Sequence, residues 1–511
     1  MPRADTLGFQ HRRAARQSSH SRVIGEKVKI AIVAAEITPW AKAGGLADVI
    51  GALPAALKQS GAEPAVILPG YRGVLDALKT MPVAENLSVP LGGAFERFDL
   101  LRAETRDGVP LYLVNHPGYF DRPGIYGERG ADYPDNLQRY VMFGRAAALI
   151  AAKFIRPDVL HAHDWHAAVA PIVARTDPAL REALDHTLVV FTVHNLAFQG
   201  ISEAADFGLL NIDRSYFSVE CLEFWGRVNL MKGAIVLADG ASTVSPAYAH
   251  EVSSDPELGF GLEGVLRHKG SRFVGIINGA DYTEWDPAVD PMIAAKYTPA
   301  RRAGKAACRR ALRKLAGLPD RDDAPIVGMV TRMTPQKGVN LLGDALEAVM
   351  DLGVQVVMLA SGDPALEKFF KAAEERFADQ LHVRLAFDNA IAHQIQAGSD
   401  IFLMPSRFEP CGLTQMYALK YGTAPLVRAT GGLKDTVAEF DPQRGTGNGF
   451  MFTDYRAEAL ADAMARARRL YNDRAAWRRL MDNCFAADFS WTVSARHYLR
   501  WFDDLRRAGG A

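Results

Sequence analysis

Lys29-Ile-Ala-Ile-Val-Ala-Ala35 is a short apolar run, followed by a segment holding Pro39, Gly44 and Gly45 and then by helical spacing over residues 46–59. It reads as strand, loop and helix. The same alternation continues outward, with strands expected at 65–68, 111–115, 159–161, 187–193, 241–244 and 273–277 and helical stretches between most of them. Such alternation predicts an α/β fold, a parallel sheet covered by helices on both faces. Residues 278–299 hold Gly279, Pro287, Pro291 and Pro299 with little periodicity and read as a connector. The pattern then restarts, with strands expected at 326–330, 355–360, 382–385, 401–404 and 424–427, a helix at 339–352 and a last helix at 491–507.

Composition narrows the function classes. A chain of 511 residues exceeds one ordinary core, since domains typically hold about 100–200 residues, so two large domains are expected. Its 59 Lys plus Arg balance its 59 Asp plus Glu. No global charge therefore draws it to nucleic acid or an anionic membrane, and any phosphate must be held locally. Cys221, Cys308, Cys411 and Cys484 are too few and too scattered for a disulfide framework, and no Cys-x-x-Cys pair marks zinc or redox work. Neither an apolar run of roughly 18 residues nor a secretory-signal pattern occurs, so a soluble protein of the cytoplasm is expected. The Arg- and Ser-rich residues 1–27 read as a disordered polar tail rather than a transit peptide. High Ala and Arg content favours a bacterial source over a plastid one.

Four segments carry chemistry, each just after an expected strand, where open parallel sheets bind ligands. In Lys42-Ala-Gly-Gly-Leu-Ala-Asp48, the Gly44-Gly45 pair lets backbone N–H groups approach an anion, the following helix aims its positive end there, and Lys42 adds a cation. Alone, this reads as an ordinary turn, and it lacks the G-x-G-x-x-G spacing of a nicotinamide site. In Arg332-Met-Thr-Pro-Gln-Lys337, two cations stand where they can neutralise a departing diphosphate. His161-Ala-His-Asp-Trp-His166 raises a zinc reading, but His166 falls on the turn after the face shared by His161 and His163, and no second His or Cys cluster closes a site. No metal is assigned.

Ser406-Arg-Phe-Glu-Pro-Cys-Gly-Leu-Thr414 is the most specific segment. Glu409 can offset positive charge on an oxocarbenium-like transition state, and the amides of Gly412, Leu413 and Thr414 stand at a helix start where phosphate binds. A helix start also lowers thiol pKa, so Cys411 is expected to be reactive. In Phe191-Thr-Val-His194-Asn195, His194 and Asn195 project at a strand's carboxyl edge.

Together these segments resemble the bacterial glycogen synthase and plant starch synthase family, from about Val28 to the C-terminus. The resemblance implies two facing Rossmann-like doubly wound domains (the GT-B arrangement), residues 28–280 and 281–490, with a C-terminal helix, 491–511, crossing back to the first. It implies retaining transfer of glucose from ADP-glucose to the non-reducing end of an α-1,4-glucan, with no metal or redox cofactor. By the same resemblance Glu409, His194, Asp164, Arg332 and Lys337 are catalytic. Lys42, Gly44, Gly45, Asp48, Tyr126, Asn195, Asn278, Phe387, Gly412, Leu413 and Thr414 line the substrate cleft, Phe387 against the nucleotide base. Related glycosyltransferases carry a second glutamate where this chain has Tyr417, an absence that glycogen synthases share. Two carboxylates, Glu409 and Asp164, leave front-face and double displacement both open, and the family precedent favours the former. UDP-glucose as donor, or a dead site on a glucan-binding protein, are the alternatives.

Overall fold

The computed structural model describes residues 27–128 and 130–509, so all but Lys27 of the polar tail read at residues 1–27 lies outside the described residues. Nine strands form one sheet: β1 (Lys29–Val33), β2 (Glu63–Pro69), β3 (Met81–Leu91), β4 (Ala94–Glu104), β5 (Pro110–Asn115), β6 (Val159–His163), β7 (Leu188–Val193), β8 (Gly240–Thr243) and β9 (Phe273–Gly275). Their order is β9-β8-β7-β6-β1-β2-β5-β4-β3. Residues Ile30, Ala31, Ile32 and Val33 of β1 are fully buried. A central parallel strand covered on both faces takes such a continuous apolar run, each large side chain contributing about 1.5–3 kcal/mol on burial.

All pairs from β9 to β5 are parallel, whereas β3, β4 and β5 pair antiparallel. The β3–β4 hairpin departs from the purely parallel sheet expected from sequence. Most of β3 is exposed, and in β4 only Phe98, Leu100 and Ala103 are buried, so neither has the continuous buried apolar run of β1. The Gly92-Gly93 turn, with both φ positive, was the local signal for it.

A second sheet holds β10 (Ile326–Met333), β11 (Gln355–Gly362), β12 (Leu381–Leu385), β13 (Ile401–Met404), β14 (Ala424–Arg428) and β15 (Phe450–Phe452), all parallel, in the order β12-β11-β10-β13-β14-β15. That is the doubly wound order, in which successive crossovers diverge on either side of the first strand and leave a crevice at the switch point. In this sheet the crevice lies between β10 and β13. In the first it lies between β1 and β6, so both switch points are fixed by topology before any side chain is considered.

The connector between the sheets packs on the second domain. The ring of Trp285 is sandwiched between His393 (3.7 Å between centroids) and Tyr417 (4.3 Å), and Asp290 accepts hydrogen bonds from Tyr421 Oη (2.5 Å) and His393 Nδ1 (2.8 Å). Tyr417 thus anchors the connector. The last helix, Trp491–Gly509, lies on the first domain: Tyr498, Trp501 and Phe502 are buried in its core, and Arg506 Nη2 donates to the Asp158 carbonyl at 3.1 Å.

Polar contacts tie the domains directly. Ser245 Oγ accepts from the Tyr248 amide as cap of the helix Pro246–Ser254 and donates to the Pro410 carbonyl at 2.7 Å. The Ala247 amide donates to Asp435, and Glu251 accepts from the Gly431 amide at 2.9 Å. Among the described residues no helix is long and apolar enough to cross a membrane.

Candidate active site

The first-domain half of the site grows from the loops after β1, β6 and β7. Directly after β1 stands Glu36, 5% exposed, whose Oε2 accepts from the Ala43 and Gly44 amides at 2.8 and 2.7 Å and whose Oε1 accepts from Tyr126 Oη at 2.8 Å. The carboxylate of Glu36 therefore occupies the amides that the sequence offered to an anion at Gly44. Gly45, by contrast, has no atom within 4 Å of the place a Cβ would take, which leaves open space beside it. Lys42 Nζ pairs with Asp48 at 2.7 Å, and burial holds the Asp48 carboxyl above its usual range despite that partner. Tyr126 stacks on His166 with centroids 4.3 Å apart, which gives His166 a packing role.

After β6, Asp164 takes φ +57 and ψ 173, a conformation costly for a residue with a Cβ. Its Oδ1 accepts from the His194 amide at 2.7 Å. Burial, together with the Glu36 charge, pushes the Asp164 carboxyl up to about 7 against that hydrogen bond. His194 Nε2 meets His163 Nδ1 at 2.9 Å, while His161 Nε2 meets Thr192 Oγ1 at 2.6 Å. Burial pushes His161, His166 and His194 down to about 3 and His163 well below the ordinary range, so these rings are neutral at pH 7. Asn195 accepts from the Ala197 amide through Oδ1, an Asx turn that shapes the loop.

The second-domain half grows from the loops after β10 and β13. Lys337 Nζ lies 2.6 Å from Glu409 Oε2, which also accepts from Ser406 Oγ at 3.1 Å. The Glu409 side chain is 6% exposed and the Lys337 side chain 21%. Two backbone approaches hold these loops. The Arg407 amide donates to the Gln336 carbonyl at 2.9 Å, and the Gly432 amide donates to the Glu409 carbonyl at 3.0 Å. Arg332 is exposed at the end of β10. Gly412 has φ +74, Leu413 packs on the first domain's core, and Thr414 opens the helix Thr414–Lys420. Phe387 is 91% exposed beyond β12, and Asn278 is buried with an Oδ1 that lacks a partner.

The buried Tyr248 lies on the helix Pro246–Ser254 that contacts both domains, and its Oη accepts from the Leu196 amide at 3.2 Å. Desolvation holds its phenol far above its usual range, and the charges of Asp164, Glu251 and Glu409 add to this. Cys411 departs from expectation. Burial pushes its thiol up to about 12, because desolvation of a thiolate outweighs the field of a helix start. Sequence reading missed Glu36, though a carboxylate one turn beyond a buried strand was a visible signal. It also missed Thr430-Gly431-Gly432-Leu433, whose Gly-Gly-Leu repeats that of residues 44–46.

Residues 29–268 match the starch synthase catalytic domain family and residues 314–480 match glycosyl transferases group 1. Glycogen synthase of Anaeromyxobacter dehalogenans (strain 2CP-C) is 45% identical over 477 residues, covering 92% of this chain and 98% of that protein. Glycogen synthase of Koribacter versatilis (strain Ellin345) is 42% identical over 479 residues, covering 94% and 98%. The chain belongs to the glycogen and starch synthase family. The starch synthase IV catalytic domain of Arabidopsis thaliana, solved with ADP and acarbose, superposes with a TM-score of 0.85 at 34% identity, over 94% of this chain and 99% of that one. Sucrose-phosphate synthase of Thermosynechococcus elongatus, at 18% identity and a TM-score of 0.56, shares the two-domain fold. The protein is a hexosyltransferase of GT-B fold with glycogen or starch synthase function.

In this synthase a carboxylate at Asp164 is expected to be needed ionised to accept from sugar hydroxyls. Activity should then fall as pH drops through about 7, the value at which Asp164 takes up its proton. Glu36→Gln removes a neighbouring negative charge that raises this pKa, so the acid limb should move to lower pH. The profile of kcat/KM against pH in wild type and Glu36→Gln checks this. An acid limb that stays in place would remove Asp164 as its source.

Proposed function

We propose that the protein elongates an α-1,4-glucan at its non-reducing end by retaining transfer of glucose from ADP-glucose. The carrying observation is that a chain of the starch synthase family places the Lys337–Glu409 pair at the switch point of one domain and Asp164, bonded to the His194 amide, at the switch point of the other. Such a site holds cations for a leaving diphosphate and carboxylates for a positively charged glucosyl group.

Each residue has a task its geometry suits. Lys337 and the exposed Arg332 take the diphosphate as it gains charge. Glu409, held through Oε2 by Lys337 and Ser406, acts as a fixed negative charge rather than as a free nucleophile, which supports front-face displacement. Asp164 and neutral His194 orient sugar hydroxyls, and the space beside Gly45 admits a phosphate oxygen. Phe387 offers an aromatic face to the base, with Lys42, Asp48, Tyr126, Asn195, Asn278 and the amides of Gly412, Leu413 and Thr414 completing the cleft. The starch synthase solved with ADP supports an adenine nucleotide, and the bacterial relatives support a cytoplasmic setting.

The test is incorporation of labelled glucose into glycogen from ADP-glucose and, separately, UDP-glucose, with EDTA present. Incorporation from ADP-glucose at more than about tenfold the rate from UDP-glucose is expected, a difference of about 1.4 kcal/mol in transition-state binding. Incorporation from UDP-glucose alone would replace the donor. Loss of incorporation on adding EDTA would overturn the metal-free reading.

A further inference from the structure

Trp225 is 83% exposed, the most exposed tryptophan-sized side chain among the large apolar groups of the first domain. It stands at the tip of a hairpin in which Phe224 pairs with Arg227, so that Trp225 and Gly226 alone form the turn. Their φ values are +53 and +77. Two-residue turns with both φ positive select Asn-Gly or Asp-Gly, because a bulky side chain is strained in that conformation. This turn therefore carries a residue disfavoured by both its backbone and its hydration.

A second aromatic residue shares the oddity. Phe260 has φ +48 and is followed by Gly261 at φ +82, and among the described residues Trp225 and Phe260 are the aromatic residues with positive φ. They are neighbours: a Cβ on Gly261 would lie 3.6 Å from Trp225 Nε1. Phe260 in turn meets Phe408, the residue before Glu409, edge to face at 6.4 Å. The Phe260 carbonyl accepts from Gln199, next to Phe198, which is 65% exposed on the loop of Asn195. Trp225, Phe260 and Phe198 are thus neighbouring exposed aromatic residues of the first domain, joined through the half-buried Phe408 to the loop of Glu409. Strain of this kind persists where it serves a site.

Resting on the reading above, in which a polymer acceptor must run out of the cleft, we infer that Trp225, Phe260 and Phe198 form a platform on which the outgoing α-glucan chain stacks. The flat C–H faces of successive glucose units lie on the rings, as apolar faces with polar edges pack on aromatic side chains. Separate rings along a rim suit an extended carbohydrate. A protein partner would instead call for a contiguous apolar face.

Trp225→Asn is the decisive variant, because Asn suits the turn and should leave the thermal midpoint level or raised. Two readings are taken on wild type and variant: retardation in a native gel containing glycogen, and the KM for glycogen beside the KM for the sugar nucleotide. Loss of retardation and a rise of about tenfold in the glycogen KM alone are expected, with Trp225→Tyr restoring both. A variant retarded as strongly as wild type, with the same glycogen KM, overturns the platform and leaves the transfer reaction standing. If wild type is retarded and Trp225→Asn is not, but neither transfers glucose, the platform stands and the donor reading falls.

Discussion

Glu409→Gln is expected to lower kcat by about 10²–10³-fold, the usual loss on removing one preorganised electrostatic group from a transition state. The neutral amide keeps the shape of the side chain and an oxygen able to accept from Ser406 and Lys337, so the loop geometry survives. Only the charge goes. Hydrogen bonds to a charged group contribute more than neutral ones, so the cost to stability is set at about 1–2 kcal/mol, and Lys337, 21% exposed, recovers part of its hydration. A fall of a few degrees in thermal midpoint should accompany it. Steady-state kinetics and calorimetry on the purified variant decide the matter. A kcat near wild type would remove Glu409 from the chemistry, and activity lost in step with a collapsed midpoint would make its role structural.

Gly338→Ala is expected to damage fold and activity together. Gly338 has φ +68, and an added Cβ would lie 1.9 Å from the Pro405 carbonyl oxygen and 2.7 Å from its carbon. Those are backbone atoms, which cannot rotate away. A left-handed conformation disfavoured for alanine, added to overpacking, predicts about 2–4 kcal/mol of destabilisation and a midpoint lower by about 5–15 °C. Gly338 follows Lys337, and Pro405 opens the loop of Glu409, so the clash drives apart the two side chains now 2.6 Å apart. Displacement near 1 Å costs about 10²-fold in rate. Gly45→Ala is the control: nothing stands within 4 Å of its Cβ, and it opens the helix Gly45–Gln59, where alanine is the better residue. Equal midpoints for the two variants would refute the steric account.

Legibility followed burial. The parallel strands announced themselves because both faces are covered, which makes each a continuous apolar run. The half-exposed hairpin Met81–Leu91 and Ala94–Glu104 and the three-residue Phe450–Phe452 carry no such signal. Glycine was legible as residue type but not as requirement. Gly44-Gly45 drew notice in a motif, yet positions around the site that admit no side chain include Gly338 and Gly431, the latter with a Cβ site 1.9 Å from the Glu409 carbonyl. Close approach depends on a neighbour that local sequence does not name. Cys411 shows the same gap, since a helix start is readable from the chain and the depth of burial that overrides it is not.

By itself the sequence determined the α/β class, the restart of the pattern in a second unit and the segments that supply the site, because strand and helix periodicity and loop motifs are local properties of the chain. The doubly wound arrangement was implied only by the family resemblance. Tertiary structure alone decided which of those groups meet. Lys337 and Glu409 are 72 positions apart, Ser245 and Pro410 are 165, and Glu251 and Gly431 are 180. Tertiary structure also decided that Glu36 fills the amides of Ala43 and Gly44 and that four histidines are neutral. Contacts between distant segments and the desolvation they impose arise only when the sheets fold and their switch points are brought face to face.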